Sequence, residues 1–581
     1  MSARKNSANT ILGREEKAGL SRRGLLGFAA TGGVGAVLWS TGTASSASAA
    51  SGLGASTSGL GASGAAMTAR AVGPAAAAPA PDVTSGLTPF PQQPDLNFQT
   101  QFNYGEVAYG AAEVGEVASA VAEVQAVLAS IGPDVLPVYQ PYNTSFEALA
   151  VTLATGADAD KAAGRFVSAR SKYLRAAGYY TGVLFFVLGA DDPTREKEIY
   201  QAMQRCWSEA AALLEPVWTR VEIPMVVRFP DAAGKPVAQN VTVPAYWARA
   251  AGTGPKPTVI INNGSDAQLV DTYAYGGAAA LERGYNALMF EGPGQGSLLF
   301  EHNISFTPYW QDVITPLVDF VLAQPETDPA AIALTGWSFG GLLVMRAAAH
   351  EHRLKAVVAD PAFYNPVTPY ARLQGIPNDV WVNDVYPNFP KYGVTGSQAS
   401  LRFLLNKRGE IFGKAFHDQA LTGVVIQDIV GLLAAMGTYS GDSALFGSIT
   451  AHSLLLTYEG DTSFTGQDVD VRAWLTSAAS LDTHAFTSAE GAQFHCAPMA
   501  PQVRNEVVYN WLDGIFGYAP PAPPAPPVPV APVAPGGAAN PALAASGLDA
   551  GPVAAVAGGL ATAGAGLAVL ASRINSKKRS S

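Results

Sequence analysis

Between residues about 100 and 220 apolar side chains recur at helical spacing. Phe166, Ala169, Tyr173, Ala176, Ala177, Tyr180 and Leu184 form one such stripe, the pattern of a helix that buries one face. Asp192-Pro193 supplies an N-cap and a first-turn proline for a further helix carrying Ile199, Met203 and Leu213. The stripe predicts a helical layer packed on a neighbour, and the same aromatics could wall a pocket.

From Val221 the period shortens to that of strands. Val221-Glu222-Ile223-Pro224 through Tyr246-Trp247 reads as an antiparallel hairpin around Asp231-Ala232-Ala233-Gly234. Thr258-Val259-Ile260-Ile261 follows, then a helix from Leu269 to Arg283 ended by Gly284, then Asn286-Ala287-Leu288-Met289-Phe290. Further strands are predicted at 331–335, 355–359, 452–457 and 484–487. Apolar strands alternating with helices predict an α/β class with a mostly parallel sheet covered on both faces. Residues 364–448 are too many for one crossover and predict a partly helical insertion.

The ends of the 581-residue chain differ in composition from this body. Ser21-Arg22-Arg23-Gly24-Leu25-Leu26, a weakly apolar stretch to Leu38 and Ala47-Ser48-Ala49 resemble a twin-arginine (Tat) signal peptide over 1–49. Residues 50–94, almost all Ala, Gly, Ser and Pro, predict a disordered leader, because they cannot bury enough surface to offset their ordering entropy. The helical region then spans 95–220 and the α/β body 221–517. A Pro-rich segment over 518–542 reads as an extended spacer. In 543–581, Leu543-Ala544-Ala545-Ser546-Gly547, an uncharged run from Ala550 to Ala571 and Arg573, Lys577, Lys578 and Arg579 resemble a cell-wall sorting signal, with Ser546 in place of the usual threonine. That resemblance implies a sortase. The other reading is a C-terminal membrane anchor with its basic tail held inside. Both put the body outside the cytoplasmic membrane, with the Tat export machinery as a partner.

The formal net charge is −10. The first fifty residues carry six basic and two acidic groups and the last nine carry four basic ones, so the remainder carries −18. That excess argues against nucleic acid as a partner. Cys206 and Cys496 are the only cysteines; they read as two free, buried thiols, with a pairing left open by sequence.

Ala331-Ile332-Ala333-Leu334 leads into Gly336-Trp337-Ser338-Phe339-Gly340-Gly341 and then Leu342-Leu343-Val344-Met345. A glycine-flanked serine at a strand-to-helix turn projects its hydroxyl above the sheet, which makes Ser338 a candidate nucleophile. A serine hydroxyl needs a histidine to take its proton and an acid to orient that histidine. Asp461 follows the strand Ser453 to Thr457, and His495 lies in the loop before the final helix. Their order, Ser then Asp then His, is the one this fold requires. His350, His352, His452 and His484 read as structural or solvated. Asp360, ending the strand Ala356 to Ala359, is the alternative acid. Oxyanion donors are expected at the backbone N–H of Phe339 and at Gly264 or Ser265 in the loop Asn262-Asn263-Gly264-Ser265-Asp266. No metal or organic cofactor is required.

Three further stretches carry a family resemblance: Glu282 to Asn286 through Phe290-Glu291-Gly292-Pro293-Gly294-Gln295-Gly296, the elbow with Arg346-Ala347-Ala348-Ala349, and Gly491 to Cys496. With Ser168-Ala169-Arg170 and Tyr173-Leu174-Arg175-Ala176-Ala177, the chain resembles an α/β-hydrolase subgroup that includes 2,6-dihydroxypseudooxynicotine hydrolase and bacterial proteins labelled dipeptidyl aminopeptidase or acylaminoacyl peptidase. The resemblance covers residues 100–517 and implies an α/β-hydrolase core with an N-terminal helical cap. Glu291 stands where relatives carry aspartate, and Tyr309-Trp310-Gln311 replaces a more acidic run.

These observations predict a serine hydrolase acting on a small-molecule acyl substrate, an ester first and a carbon–carbon bond second. A prolyl-oligopeptidase-type peptidase fits poorly, since about 120 helical residues cannot supply a β-propeller. No acidic pair that would hold a substrate's amino terminus stands out in the helical section. A non-catalytic, wall-displayed binding protein on the same fold is the remaining alternative.

Overall fold

The computed structural model describes residues 88–520, apart from 91, 133–137, 232 and 395. The expected Tat signal peptide, most of the leader, nearly all of the spacer and the sorting signal or anchor lie outside the described residues. The leader was expected to run to residue 94, but Phe90 is already buried in the core. The Asn97 side chain holds it there, accepting the Phe90 N–H at 2.8 Å and donating to its carbonyl at 3.0 Å. At the other end Tyr518, assigned to the spacer, stacks edge-on to Tyr285 with ring centroids 5.3 Å apart.

Five helices form the N-terminal layer: α1 (Pro94–Glu106), α2 (Val114–Ile131), α3 (Gln140–Ala162), α4 (Phe166–Phe186) and α5 (Glu196–Ala211). In α4 the predicted stripe from Ala169 to Leu184 is buried, whereas Phe166 at the helix start is exposed. Asp192 caps a short 3-10 turn, accepting the Thr194 N–H at 3.0 Å, and that turn runs into α5. Ile199 and Met203 are buried, while Leu213 lies beyond the helix end.

Eight strands follow: β1 (Thr219–Pro230), β2 (Pro236–Ala248), β3 (Lys256–Asn262), β4 (Asn286–Phe290), β5 (Thr327–Trp337), β6 (Ala356–Asp360), β7 (His452–Tyr458) and β8 (Leu481–Phe486). They form one sheet in the order β1-β2-β4-β3-β5-β6-β7-β8. The pairs β1–β2 and β2–β4 are antiparallel and all others parallel. The inner parallel strands β3, β4, β6 and β7 are almost wholly apolar and buried, as burial under helices on both faces demands. After β3 the chain turns back to β4 on one side and then crosses to β5 on the other. That reversal opens a crevice at the carboxyl ends of β3 and β5.

Two segments depart from the expected pattern. The helix after β3 is broken into Leu269–Thr272, a π turn at Tyr273–Gly277 and Ala278–Glu282. The last strand starts three residues earlier than its apolar residues suggested, because its outer residues pair as an edge beside β7. The expected insertion folds as several short helices with their own apolar cluster, which includes Trp381, Leu405, Ile426 and Ile429. It joins the helical layer through Phe403, whose ring lies 4.6 Å from Tyr139 and 5.5 Å from Phe186.

Candidate active site

β5 ends at Trp337, and the helix Phe339–Ala348 begins one residue after Ser338. Ser338 is left at the corner with φ 55° and ψ −131°. A non-glycine residue in that region carries strain of about 1–3 kcal/mol. The turn closes only because its neighbours lack side chains. A β-carbon at Gly336 would meet the Gly340 carbonyl oxygen at 2.2 Å, and one at Gly340 would meet the Asn263 carbonyl oxygen at 2.5 Å.

The structure brings Ser338, His495 and Asp461 together. His495 Nε2 lies 3.0 Å from Ser338 Oγ. Its Nδ1 lies 2.5 Å from Asp461 Oδ2, and Asp461 Oδ1 accepts the Ser463 N–H at 2.9 Å. Asp461 sits three residues past the end of β7, with its carboxylate against the imidazole. Burial works against an imidazolium at His495, but the Cys496 sulfur, when ionised, and the Asp461 carboxylate outweigh it and raise the imidazole well above its ordinary value. Burial likewise opposes the Asp461 charge, and His495 and the Ser463 contacts lower that carboxyl all the same. Burial raises the neighbouring Cys496 thiol. Both cysteines are free and buried.

Asp360, the alternative acid, is committed elsewhere. Arg504 Nε donates to it at 2.7 Å, and the Tyr458 hydroxyl donates to its other oxygen. The Arg504 Nη1 group is itself fixed on the Tyr275 carbonyl at 2.7 Å. This buried pair ties the final helix, Pro501–Phe516, to β6.

The oxyanion loop corrects one expectation. The Gly264 N–H donates to the side chain of the preceding residue, Asn263 Oδ1, at 2.6 Å, so it points away from a substrate. What Gly264 supplies is space, since a β-carbon there would sit 2.6 Å from the Ser338 Cβ. Ser265 and Phe339 both face the cavity above Ser338. The Phe339 N–H also begins a helix, whose aligned peptide dipoles favour a negative charge.

Gln295, in the Gly-rich loop after β4, holds this oxyanion loop in place. Its Nε2 donates to the carbonyls of Asn263 at 2.9 Å and Gly264 at 2.8 Å, while its Oε1 accepts the Gly292 N–H at 3.0 Å. Arg408 of the insertion adds a second brace, donating to Asp266 and to Ser265 Oγ at 3.2 Å. Neither role was visible in sequence, because the partners are 31 to 143 residues apart. Gln295 lies within a recognised run, and that run was the signal available.

The triad opens into a cavity of about 150 Å³, a size that holds one six-membered ring. Phe98 and Phe102 of α1 and Phe185 of α4 line it from the helical layer, and Tyr370, Arg408 and Phe412 line it from the insertion.

A second polar cluster lies apart from this site. Glu196, Glu410 and His417 place ligand atoms within 4.8 Å of one another. Lys407 Nζ, 2.7 Å from Glu410 Oε1, already provides a cation there, and the group joins α5 to the insertion.

The model of the Alpha/beta hydrolase family matches residues 263–507, which span the oxyanion loop, the elbow, Asp461 and His495. Over these residues the chain is similar to that family, and its fold is an alpha/beta hydrolase fold. Curated relatives include Hydrolase pyiE of Pyricularia grisea, 29% identical over 286 residues covering 48% of this chain and 59% of that one. Hydrolase ORFZ of Pyricularia oryzae is 31% identical over 281 residues, covering 46% of this chain and 61% of that one. The match thus spans about three-fifths of these relatives' length. Among solved structures, the 2,6-dihydroxy-pseudo-oxynicotine hydrolase is similar, with a TM-score of 0.47 and 18% identity over 72% of this chain and 98% of that one.

Proposed function

We propose that this α/β-hydrolase is a serine hydrolase that cleaves an ester through an acyl-enzyme. The observation that carries the proposal is the continuous relay from Ser338 Oγ to His495 at 3.0 Å and on to Asp461 at 2.5 Å, opening into a largely apolar cavity. Ser338 Oγ attacks the substrate carbonyl while His495 Nε2 takes its proton, and Asp461 stabilises the cation so formed. The Phe339 and Ser265 N–H groups receive the developing oxyanion. The tetrahedral adduct collapses as His495 returns the proton to the leaving oxygen. Water, deprotonated by the same imidazole, then releases the acyl group as a carboxylic acid and restores Ser338. An ester is favoured over an amide or a carbon–carbon bond because an alkoxide is the easier leaving group.

The test is active-site labelling with a fluorophosphonate, followed by hydrolysis of p-nitrophenyl esters, aminoacyl anilides and diketones. Wild type is expected to label at Ser338 and to hydrolyse the esters, while Ser338→Ala does neither. Equal labelling of Ser338→Ala would overturn the assignment and favour a binding protein on a hydrolase fold.

The terminal sequences support a further part of the reading, an enzyme exported through the Tat route and held at the surface by a sortase-made wall linkage or a membrane anchor. Cell fractionation with and without residues 543–547 separates these. Release into the medium on deletion supports wall attachment, and unchanged membrane retention supports the anchor.

A further inference from the structure

Several acids in this protein have a cation of their own: Asp360 has Arg504, Asp266 has Arg408 and Glu410 has Lys407. Among the described residues, Glu106 and Asp271 form no such ion pair. Glu106, at the end of α1, is wholly buried, and the side chains that bear on it are Asn103 and Asp271. It shares a hydrogen bond with Asp271 of the segment Leu269–Thr272, and no lysine or arginine bears on either group. Asp271 accepts the Gln268 N–H at 2.6 Å and lines the catalytic cavity.

Two carboxyls in contact and out of water cannot both ionise. Burial and the Asp271 charge raise Glu106 well above its ordinary value. Burial raises Asp271 as well, while its hydrogen bonds with Glu106, the Gln268 N–H and Thr181 lower it, so Glu106 holds the shared proton and the charge of the pair falls on Asp271. A lone buried charge is costly unless something of opposite sign answers it. The cavity that Asp271 lines suits such a partner. The helical layer contributes the rings of Phe98, Phe102 and Phe185 to the same lining, with Gln99 and Thr181, and Thr181 bears directly on Asp271. Ring faces attract an ammonium group, and more strongly when water is excluded. Phe102 also reaches the nucleophile's neighbour, its centroid 6.4 Å from that of Trp337.

We propose that the part of the catalytic cavity lined by the helical layer is a subsite for a protonated amine, with Asp271 as its counter-charge, Glu106 as the group positioning that carboxylate, and Phe98, Phe102 and Phe185 as its walls. The proposal rests on the hydrolase reading of Ser338 and names its substrate class: an ester whose ring-sized acyl part carries a basic nitrogen. It also supplies the acidic pair that the helical section did not reveal in sequence. The partners are 165 positions apart, and only the packing of α1 on the core unites them.

The test compares two p-nitrophenyl esters of nearly equal shape, the cationic 1-methylpiperidine-4-carboxylate and the neutral 4-methylcyclohexanecarboxylate. Wild type is expected to prefer the cation by about tenfold or more in kcat/KM. Asp271→Asn, which keeps an acceptor for Gln268, and Glu106→Gln should bring that ratio towards unity. Taking the ratio within each variant cancels any loss of folded enzyme. A second arm measures binding of the two corresponding carboxamides to Ser338→Ala by calorimetry, with the same preference expected. No preference in wild type, or a preference that survives both substitutions, overturns the subsite. If neither ester is cleaved, the hydrolase reading fails and the binding arm alone decides the subsite.

Discussion

A β-carbon on Gly264 would lie 2.6 Å from the Cβ of Ser338, so the oxyanion loop and the nucleophile elbow touch through a position that admits no side chain. Gly264→Ala must push one backbone off the other. The expected outcome is a fall in kcat/KM on the order of 100-fold, since a displacement near 1 Å is enough for that. Steady-state kinetics, with circular dichroism to show that the fold persists, checks it.

The two acids at the ends of neighbouring strands should fail in different ways. Asp461→Asn leaves the packing intact but removes the charge that orients His495, and kcat is expected to fall about ten-thousand-fold. Asp360→Asn leaves Arg504 buried without its carboxylate and is expected to cost about 3–5 kcal/mol of stability. Paired kinetics and denaturant unfolding distinguish them. Equal loss of activity in two equally stable variants would contradict the assignment.

Catalysis should be lost in acid. His495 must be neutral to accept the Ser338 proton, and its imidazole is held well above the usual 6.5. The kcat/KM profile is therefore expected to rise with pH through an apparent pKa above 6.5 and to fall as His495 becomes protonated. Removing the negative partner in Asp461→Asn should move that limb to lower pH, as measured on the residual activity.

Gln295 is not among the residues that line the cavity, yet it pins the Asn263 and Gly264 carbonyls directly before the Ser265 N–H. Gln295→Leu is expected to lower kcat by roughly tenfold or more while KM changes little, because the loss falls on the transition state. A matched rise in KM would mean instead that the loop shapes binding.

Tyr200 of α5 donates its hydroxyl to Glu291, 2.9 and 3.0 Å from the two carboxyl oxygens. Glu291 also accepts the N–H and hydroxyl of Ser297, each at 3.1 Å. The longer glutamate therefore reaches a tyrosine of the helical layer as well as the loop behind the site. Tyr200→Phe is expected to cost about 1–2 kcal/mol, read from chemical denaturation.

The strand pattern located all eight strands, because a sheet buried on both faces leaves an apolar run wherever it passes. The elbow was equally legible, since Gly336, Gly340 and Gly341 are a local requirement of the turn around Ser338. The break at Tyr273–Gly277 was not. Its spacing is that of a helix, and the π turn arises where Gly277 meets Met289 and Trp218, neither of which is a neighbour in the chain.

The sequence by itself determined the class of sheet, the corner that carries Ser338 and the order in which a histidine and an acid must follow it. These are local properties, set by side-chain period, glycine placement and chain direction. Which carboxylate meets His495, that the Gly264 N–H turns to the Asn263 side chain, and that Glu106 meets Asp271 beside the cavity were decided only by the tertiary structure. Each depends on groups far apart in sequence competing for the same few hydrogen-bonding partners, and only packing settles which of them arrive.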